Sequence, residues 1–161
     1  MRWAVETLAV QPGDHVLEIG CGSGIAAALI CDRLVGGRML AIDRSATQIE
    51  CARRRNEAHL TSGRLALETV ELADLDVDGS FDKIFAINVN LFWVGPATRE
   101  LARVRRALAP EGGLYLFYEA PSPARARHAA DQVAAVMDTN GFELGQGACT
   151  GSRALVYSRA R

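Results

Sequence analysis

Residues 16–24 read VLEIGCGSG: an apolar run holding one carboxylate, Glu18, and then glycines at every second position, Gly20, Gly22 and Gly24. Glycine reaches backbone angles that side chains forbid, and it lets a ligand lie against the main chain and a following helix N-terminus. A plain turn needs one such residue, whereas three in alternation after an apolar strand mark a cofactor loop. The spacing narrows the cofactor. A dinucleotide fingerprint, G-x-G-x-x-G, would place its third glycine at position 25, which is Ile25. A phosphate-binding P-loop needs a lysine directly after its last glycine, and the only lysine of the chain is Lys83. Nicotinamide dinucleotides and nucleoside triphosphates therefore both fit poorly. Glu18, set among apolar residues, would be costly without partners, so it is expected to accept hydrogen bonds from the backbone or from a ligand amine. Cys21 is read as a small residue suited to a tight loop rather than as an activated thiol.

The surrounding pattern frames this loop with alternating strands and helices. His15 to Ile19 is a short apolar strand, and Ile25 to Val35 has helix length, with Gly36-Gly37 as its stop. Arg38 to Ile42 is a second strand that ends at Asp43, and Ser45 with Gln48 forms a capping box for a helix to about His59. Strands follow at Leu65 to Val70 and Phe81 to Ile87, with an acidic loop between them. Gly95-Pro96 opens a helix with Leu101, Val104 and Leu108 on one face, ended by Pro110 and Gly112-Gly113. Leu114 to Tyr118 is the fifth strand. Ser122-Pro123 caps a last helix with Ala129, Val133 and Met137 inward, and strands Phe142 to Cys149 and Ala154 to Ser158 close the chain. A short helix over Trp3 to Val10 comes before them all. The pattern predicts one α/β domain over residues 1–161. Its doubly wound, Rossmann-like, mostly parallel sheet has about seven strands and a C-terminal antiparallel hairpin, and its ligands lie beyond the strands' carboxyl ends.

In this frame VLEIGCGSG resembles the first motif of class I S-adenosylmethionine-dependent methyltransferases, and AIDRS resembles the acidic end of their second strand. ELADLDVDGSFDKIFAINV is similar to the family's third and fourth strand region, with D-G-S-F-D at Asp78 to Asp82, and LAPEGGLYL to its turn into strand five. The resemblance runs from about residue 3 to the C-terminus. It implies S-adenosylmethionine as cofactor, held by Glu18, Gly20, Cys21, Gly22, Gly24, Asp43, Arg44, Glu71, Leu72 and Asn88. Asp43 would accept hydrogen bonds from both ribose hydroxyls, because an ionised carboxylate has two acceptor oxygens and no donor. Glu18 would steady the loop and the methionine end. Glu71 and Leu72 align with the pair that meets adenine, with Asp74 as a competitor for the acid. Asn88 follows the fourth strand, near the methyl group. INVNLFW departs from the N-P-P-[YFW] signature of amino methyltransferases acting on bases or protein amides, which counts against that chemistry. Asn90, Phe92 and Trp93, with Tyr118, either rim a substrate face or, equally, belong to aromatics packed on the sheet.

Composition bounds the partners. Of 161 residues, 49% are hydrophobic and 23% charged, which suits a folded domain. A net charge of -1 offers no broad positive surface for nucleic acid or an anionic membrane, and a small-molecule acceptor is expected instead. No run is long and apolar enough for a membrane span or a signal peptide, so a cytoplasmic protein is expected. Four scattered cysteines without a C-x-x-C pair suggest free thiols and no metal site. The Arg53-Arg54-Arg55 run reads as a solvated face. Histidines 15, 59 and 128 lie away from the strands' carboxyl ends, and no catalytic base is assigned. Transfer from a sulfonium is an in-line displacement that alignment can largely drive. Two readings stay open: a methyltransferase whose open substrate face a homodimer would help to wall, and a catalytically inactive cofactor-binding partner subunit.

Overall fold

The computed structural model describes residues 1–160; Arg161, the last residue of the expected domain, lies outside the described residues. In chain order the elements are α1 Arg2–Leu8, β1 His15–Ile19, α2 Ile25–Cys31, β2 Arg38–Asp43, α3 Ala46–Arg55, α4 Glu57–Thr61, β3 Leu65–Thr69, β4 Phe81–Ile87, α5 Leu91–Val94, α6 Thr98–Ala107, β5 Leu108–Glu119, α7 Pro123–Thr139, β6 Phe142–Leu144, β7 Ala148–Thr150 and β8 Arg153–Ala160. The sheet runs β3-β2-β1-β4-β5-β8-β6, with β7 also on β8, so it has eight strands rather than about seven. The first five in that order are parallel, and β8 is antiparallel to β5. Strand order reverses between β1 and β4, which opens a crevice at their carboxyl ends.

Both faces of the sheet are covered, as continuous apolar strands demand. On one face Leu17, Ile19, Ile84 and Leu116 meet Leu101 and Val104 of α6 and Val133 and Met137 of α7. On the other Val16, Ala41, Phe85 and Phe117 meet α1, α2 and α3 through Val5, Ala27, Ile30 and Ile49. Strand alternation puts Glu18 on this second face, opposite Ala41 and Phe85. The caps are those the sequence predicts: Ser45 Oγ accepts from Gln48 N at 3.3 Å, and Ser122 Oγ from Arg125 N at 3.4 Å.

Four expectations are corrected. The helix expected to reach Val35 ends at Cys31, and the one from Ser45 to His59 breaks at Asn56, whose buried side chain is tied to another segment. The strand expected from Phe142 to Cys149 is two short ones. At Gly145 a Cβ would strike the Tyr157 ring, and at Gly147 one would lie 2.8 Å from the Leu155 carbonyl, so the chain slips over β8 there. β6 and β7 thus share the outer edge of β8, so the expected C-terminal antiparallel hairpin is present with its first arm broken in two. The Pro110 to Gly113 turn is a bulge inside β5: pairing moves from Phe81↔Leu108 to Lys83↔Gly113, two residues on β4 against five on β5.

Candidate cofactor site

The glycine loop carries positive φ at 70° for Gly20, 53° for Gly22 and 73° for Gly24, a region that residues with a Cβ avoid. Two of the three also lack room: a Cβ on Gly20 would lie 2.7 Å from Val89 Cγ2, and one on Gly24 2.6 Å from Asn56 Nδ2 and 2.9 Å from Ala52 Cβ. The end of β2 pins the loop, because Gly20 N and Cys21 N donate to the Ile42 carbonyl at 2.8 and 3.0 Å. Asp43 continues this anchoring. Its Oδ2 accepts from Gly22 N and its Oδ1 from Ser45 N, each at 2.9 Å, so one carboxylate ties the loop to the start of α3. Each oxygen keeps lone-pair capacity for a further donor.

Beside this anchor lies a cavity of about 890 Å³, within the usual range for small-molecule and cofactor sites. Gly20, Asp43, Arg44, Glu71, Leu72 and Asn88 line it. Glu18, Cys21, Gly22 and Gly24 are not in its wall; they lie in and behind the loop. Glu71 lines the cavity, whereas its competitor Asp74 sits within 3.5 Å of Arg99 in solvent. Asn88 holds φ 56°, a conformation asparagine tolerates better than most residues, and its Oδ1 accepts from Glu119 N at 2.7 Å, joining the ends of β4 and β5. The far wall had no distinguishing sequence signal: Leu91 and Val94 of α5, then Gly95, Pro96, Thr98, Arg99 and Glu100 leading into α6. Only Asn90 of the expected rim belongs to it. Phe92 is fully buried under α7, Tyr118 is buried and donates its hydroxyl to the Val89 carbonyl, and Trp93 lies outside the cavity. Phe92 and Tyr118 therefore serve packing, the second of the two roles open to them, while Trp93 is exposed and does neither.

Burial sets the electrostatics. Glu18 is 2% exposed, and its Oε2 has no hydrogen-bond partner within the chain, which leaves the ligand amine as the partner open to it of the two expected. Desolvation, and then the nearby Asp43 charge, push its carboxyl from 4.5 up to about 8, so the neutral acid is the native form near pH 7. Desolvation, Glu18 and Asp43 also push the Cys21 thiol up to about 12. This agrees with an inert loop cysteine. Arg53 and Arg54 face Glu50 in solvent, as a solvated face would, but Arg55 reaches the loop through Nε, which donates to the Ser23 carbonyl at 2.9 Å. His59 lies 3.3 Å from Asp32 and is not in the cavity wall. Among the described residues no group of three His, Cys, Asp or Glu is placed to hold a metal, and no helix is long and apolar enough to cross a membrane.

S-adenosylmethionine fits the chemistry of this donor set. A carboxylate with spare lone pairs stands at the cavity, a side-chain-free backbone stands at Gly20, and an orphaned buried carboxyl oxygen lies behind the loop. Known proteins agree. A family model described as a methyltransferase domain matches residues 16–112, more than half of the chain. The chain is 32% identical over 122 residues to a trans-aconitate 2-methyltransferase of Paracidovorax citrulli, an alignment covering 70% of this chain and 43% of that protein. It is 30% identical over 131 residues to a demethylmenaquinone methyltransferase of Symbiobacterium thermophilum, covering 76% and 50%. The chain thus spans about half the length of the curated relatives it matches. A solved methyltransferase from Aquifex aeolicus, described as SAM dependent, shares the fold with TM-score 0.80 at 17% identity, covering 98% of this chain and 87% of that one. With the glycine loop, the β2 acid and the cavity between them, the match over residues 16–112 shows that this chain belongs to the class I S-adenosylmethionine-dependent methyltransferase family.

Proposed function

We propose that the chain binds one S-adenosylmethionine across the carboxyl ends of β1, β2 and β4 and transfers its methyl group to a small-molecule acceptor. The observation that carries this reading is the continuity of the cavity from Asp43 and Glu71 at one end to Asn88, Leu91 and Val94 at the other. When bound, the cofactor supplies a methyl group activated by a sulfonium charge, open to in-line attack by a nucleophile. The chain's own residues do the rest. Asp43, already oriented by two backbone N–H groups, accepts the ribose hydroxyls on its remaining lone pairs. Glu71 and Leu72 frame the base, and Arg44 borders the same end. Gly20 lets the cofactor approach the main chain, and Glu18 backs the loop. Asn88, locked to β5, fixes the wall where the acceptor meets the methyl group.

No histidine lines the cavity, and the groups beyond Asn88 are apolar or amide apart from Thr98, Arg99 and Glu100. Orientation is therefore the principal contribution of this wall, and an acceptor already nucleophilic at neutral pH suits it. The acceptor class rests on the slight negative charge and on relatives named for trans-aconitate and demethylmenaquinone. Incubating the pure chain with methyl-labelled cofactor and, in parallel, a metabolite extract or total RNA tests it. Label in the metabolite arm supports the proposal, and label in RNA alone refutes the acceptor class. Tight binding of S-adenosylhomocysteine with no label in either arm assigns the chain to the inactive partner-subunit reading. Calorimetry that detects NAD but no sulfonium ligand would overturn the cofactor.

A further inference from the structure

The glycine loop is held from two sides. The end of β2 takes its N–H groups, through Ile42 and Asp43. Its carbonyls are taken by α3, from two consecutive residues: Arg55 Nε donates to Ser23 O at 2.9 Å, and Asn56 Nδ2 donates to Gly24 O at 3.0 Å. Asn56 is 1% exposed and stands where α3 stops and α4 begins. Its Nδ2 also donates to Ala52 O at 2.9 Å, which ties the same side chain to the last turn of α3. The fit is close enough that Gly24 tolerates no Cβ against Asn56 and Ala52. A buried amide inside an otherwise helical stretch is expensive, and here its Oδ1 has no partner, so the Nδ2 contacts are what hold it there.

We infer that Arg55 and Asn56 form a clamp that presets the glycine loop for the cofactor, and that both are positioning residues for methyl transfer. A trans peptide unit is planar, with C=O and N–H pointing in opposite directions. Fixing the Ser23 and Gly24 carbonyls toward α3 therefore turns the Gly24 N–H back into the loop, where it donates to the Cys21 carbonyl at 3.0 Å, and aims the Ile25 N–H away from α3. With β2 holding the loop's N–H groups, the main chain at residues 20–24 is ordered before any ligand arrives. Preorganisation of this kind raises affinity by removing the ordering cost from the binding step. The inference rests on the cofactor reading proposed above.

Three variants test it: Arg55→Met keeps the aliphatic stem and removes the donor, Arg55→Lys restores a donor, and Asn56→Leu fills the site and also removes the orphaned Oδ1. Two readouts are taken, S-adenosylhomocysteine affinity by calorimetry and amide hydrogen exchange of residues 20–25 in the free protein. Loss of one or two such bonds predicts product affinity weakened about 3- to 10-fold in Arg55→Met and about 10-fold or more in Asn56→Leu, with Arg55→Lys within about threefold of the parent. Loop exchange accelerates in Arg55→Met and Asn56→Leu while β4 exchange stays parental. Parental loop exchange and parental affinity in folded variants would overturn the clamp. Should Asn56→Leu fail to fold, Arg55→Met on its exposed side chain decides. If the parent itself binds no product, the cofactor reading falls, and the exchange data alone decide the clamp.

Discussion

Replacing Glu18 by glutamine should change how stability depends on pH, in a direction that its surroundings dictate. The carboxyl lies in β1 between Ala41 of β2 and Phe85 of β4, and the titratable groups that bear on it are Asp43 at the end of β2, Cys21 in the loop and Cys31 on α2. In the unfolded chain the acid loses its proton near 4.5, whereas in the native state it keeps it to about 8. Between these values the native state binds more protons than the unfolded one, so stability is full below about pH 4.5 and falls as pH rises toward 8. The interval of about 3.5 units corresponds to an upper bound of about 5 kcal/mol, from about 1.4 kcal/mol per unit. That is comparable with the whole stability of a typical domain, so a loss of about 2 kcal/mol or more is expected to survive structural relaxation. Glutamine has nearly the same shape and does not titrate. Urea unfolding followed by far-UV circular dichroism at intervals from pH 5 to 8.5 gives the comparison. The variant should lie close to the parent at pH 5 and become progressively more stable than it as pH rises. Because both proteins share every other titrating group, the difference between the curves isolates Glu18. Parallel curves, within about 0.5 kcal/mol throughout, would show that Glu18 is not held neutral by burial and would remove the argument for its raised pKa.

Asp43→Ala should weaken S-adenosylhomocysteine by about 1.5 to 3 kcal/mol, the range for hydrogen bonds to a charged group, and should lower the melting temperature because Gly22 N and Ser45 N lose their acceptor. Unchanged affinity by calorimetry in a folded variant would take Asp43 out of the site. Gly24→Ala, at φ 73° and with Ala52 Cβ 2.9 Å from the added carbon, should cost about 1 to 3 kcal/mol in urea unfolding, and a neutral result would contradict the close approach of α3 to the loop. A disulfide-exchange reagent under native conditions should label Cys51 and Cys149, both exposed, quickly and leave Cys21 and Cys31 slow, since burial pushes each of these thiols to about 12. Rapid labelling of Cys21 would mean that the loop opens in the free protein.

Much of the fold was legible because its signals are local. The strand at His15–Ile19, the alternating glycines, the strand ending in Asp43 and the serine caps each depend on residues within a few positions of one another, and the structure places them at the same boundaries or within a residue of them. Burial of Leu101, Val104, Val133 and Met137 followed from helical period for the same reason. What was illegible depends on segments distant in the chain. Asn56 reads as an ordinary residue of a long helix until Gly24, 32 positions away, is brought beside it. Phe92 and Tyr118 reach the core rather than the cavity because α5 lies against α7 and β5 lies beside β4, neither of which spacing reveals. Glycines 145 and 147 become a break only when the Tyr157 ring and the Leu155 carbonyl lie beneath them. Glu18 could be recognised as a motif acid, but its shift to about 8 sums burial by residues of several elements with the Asp43 charge, and that sum exists only once the chain has folded.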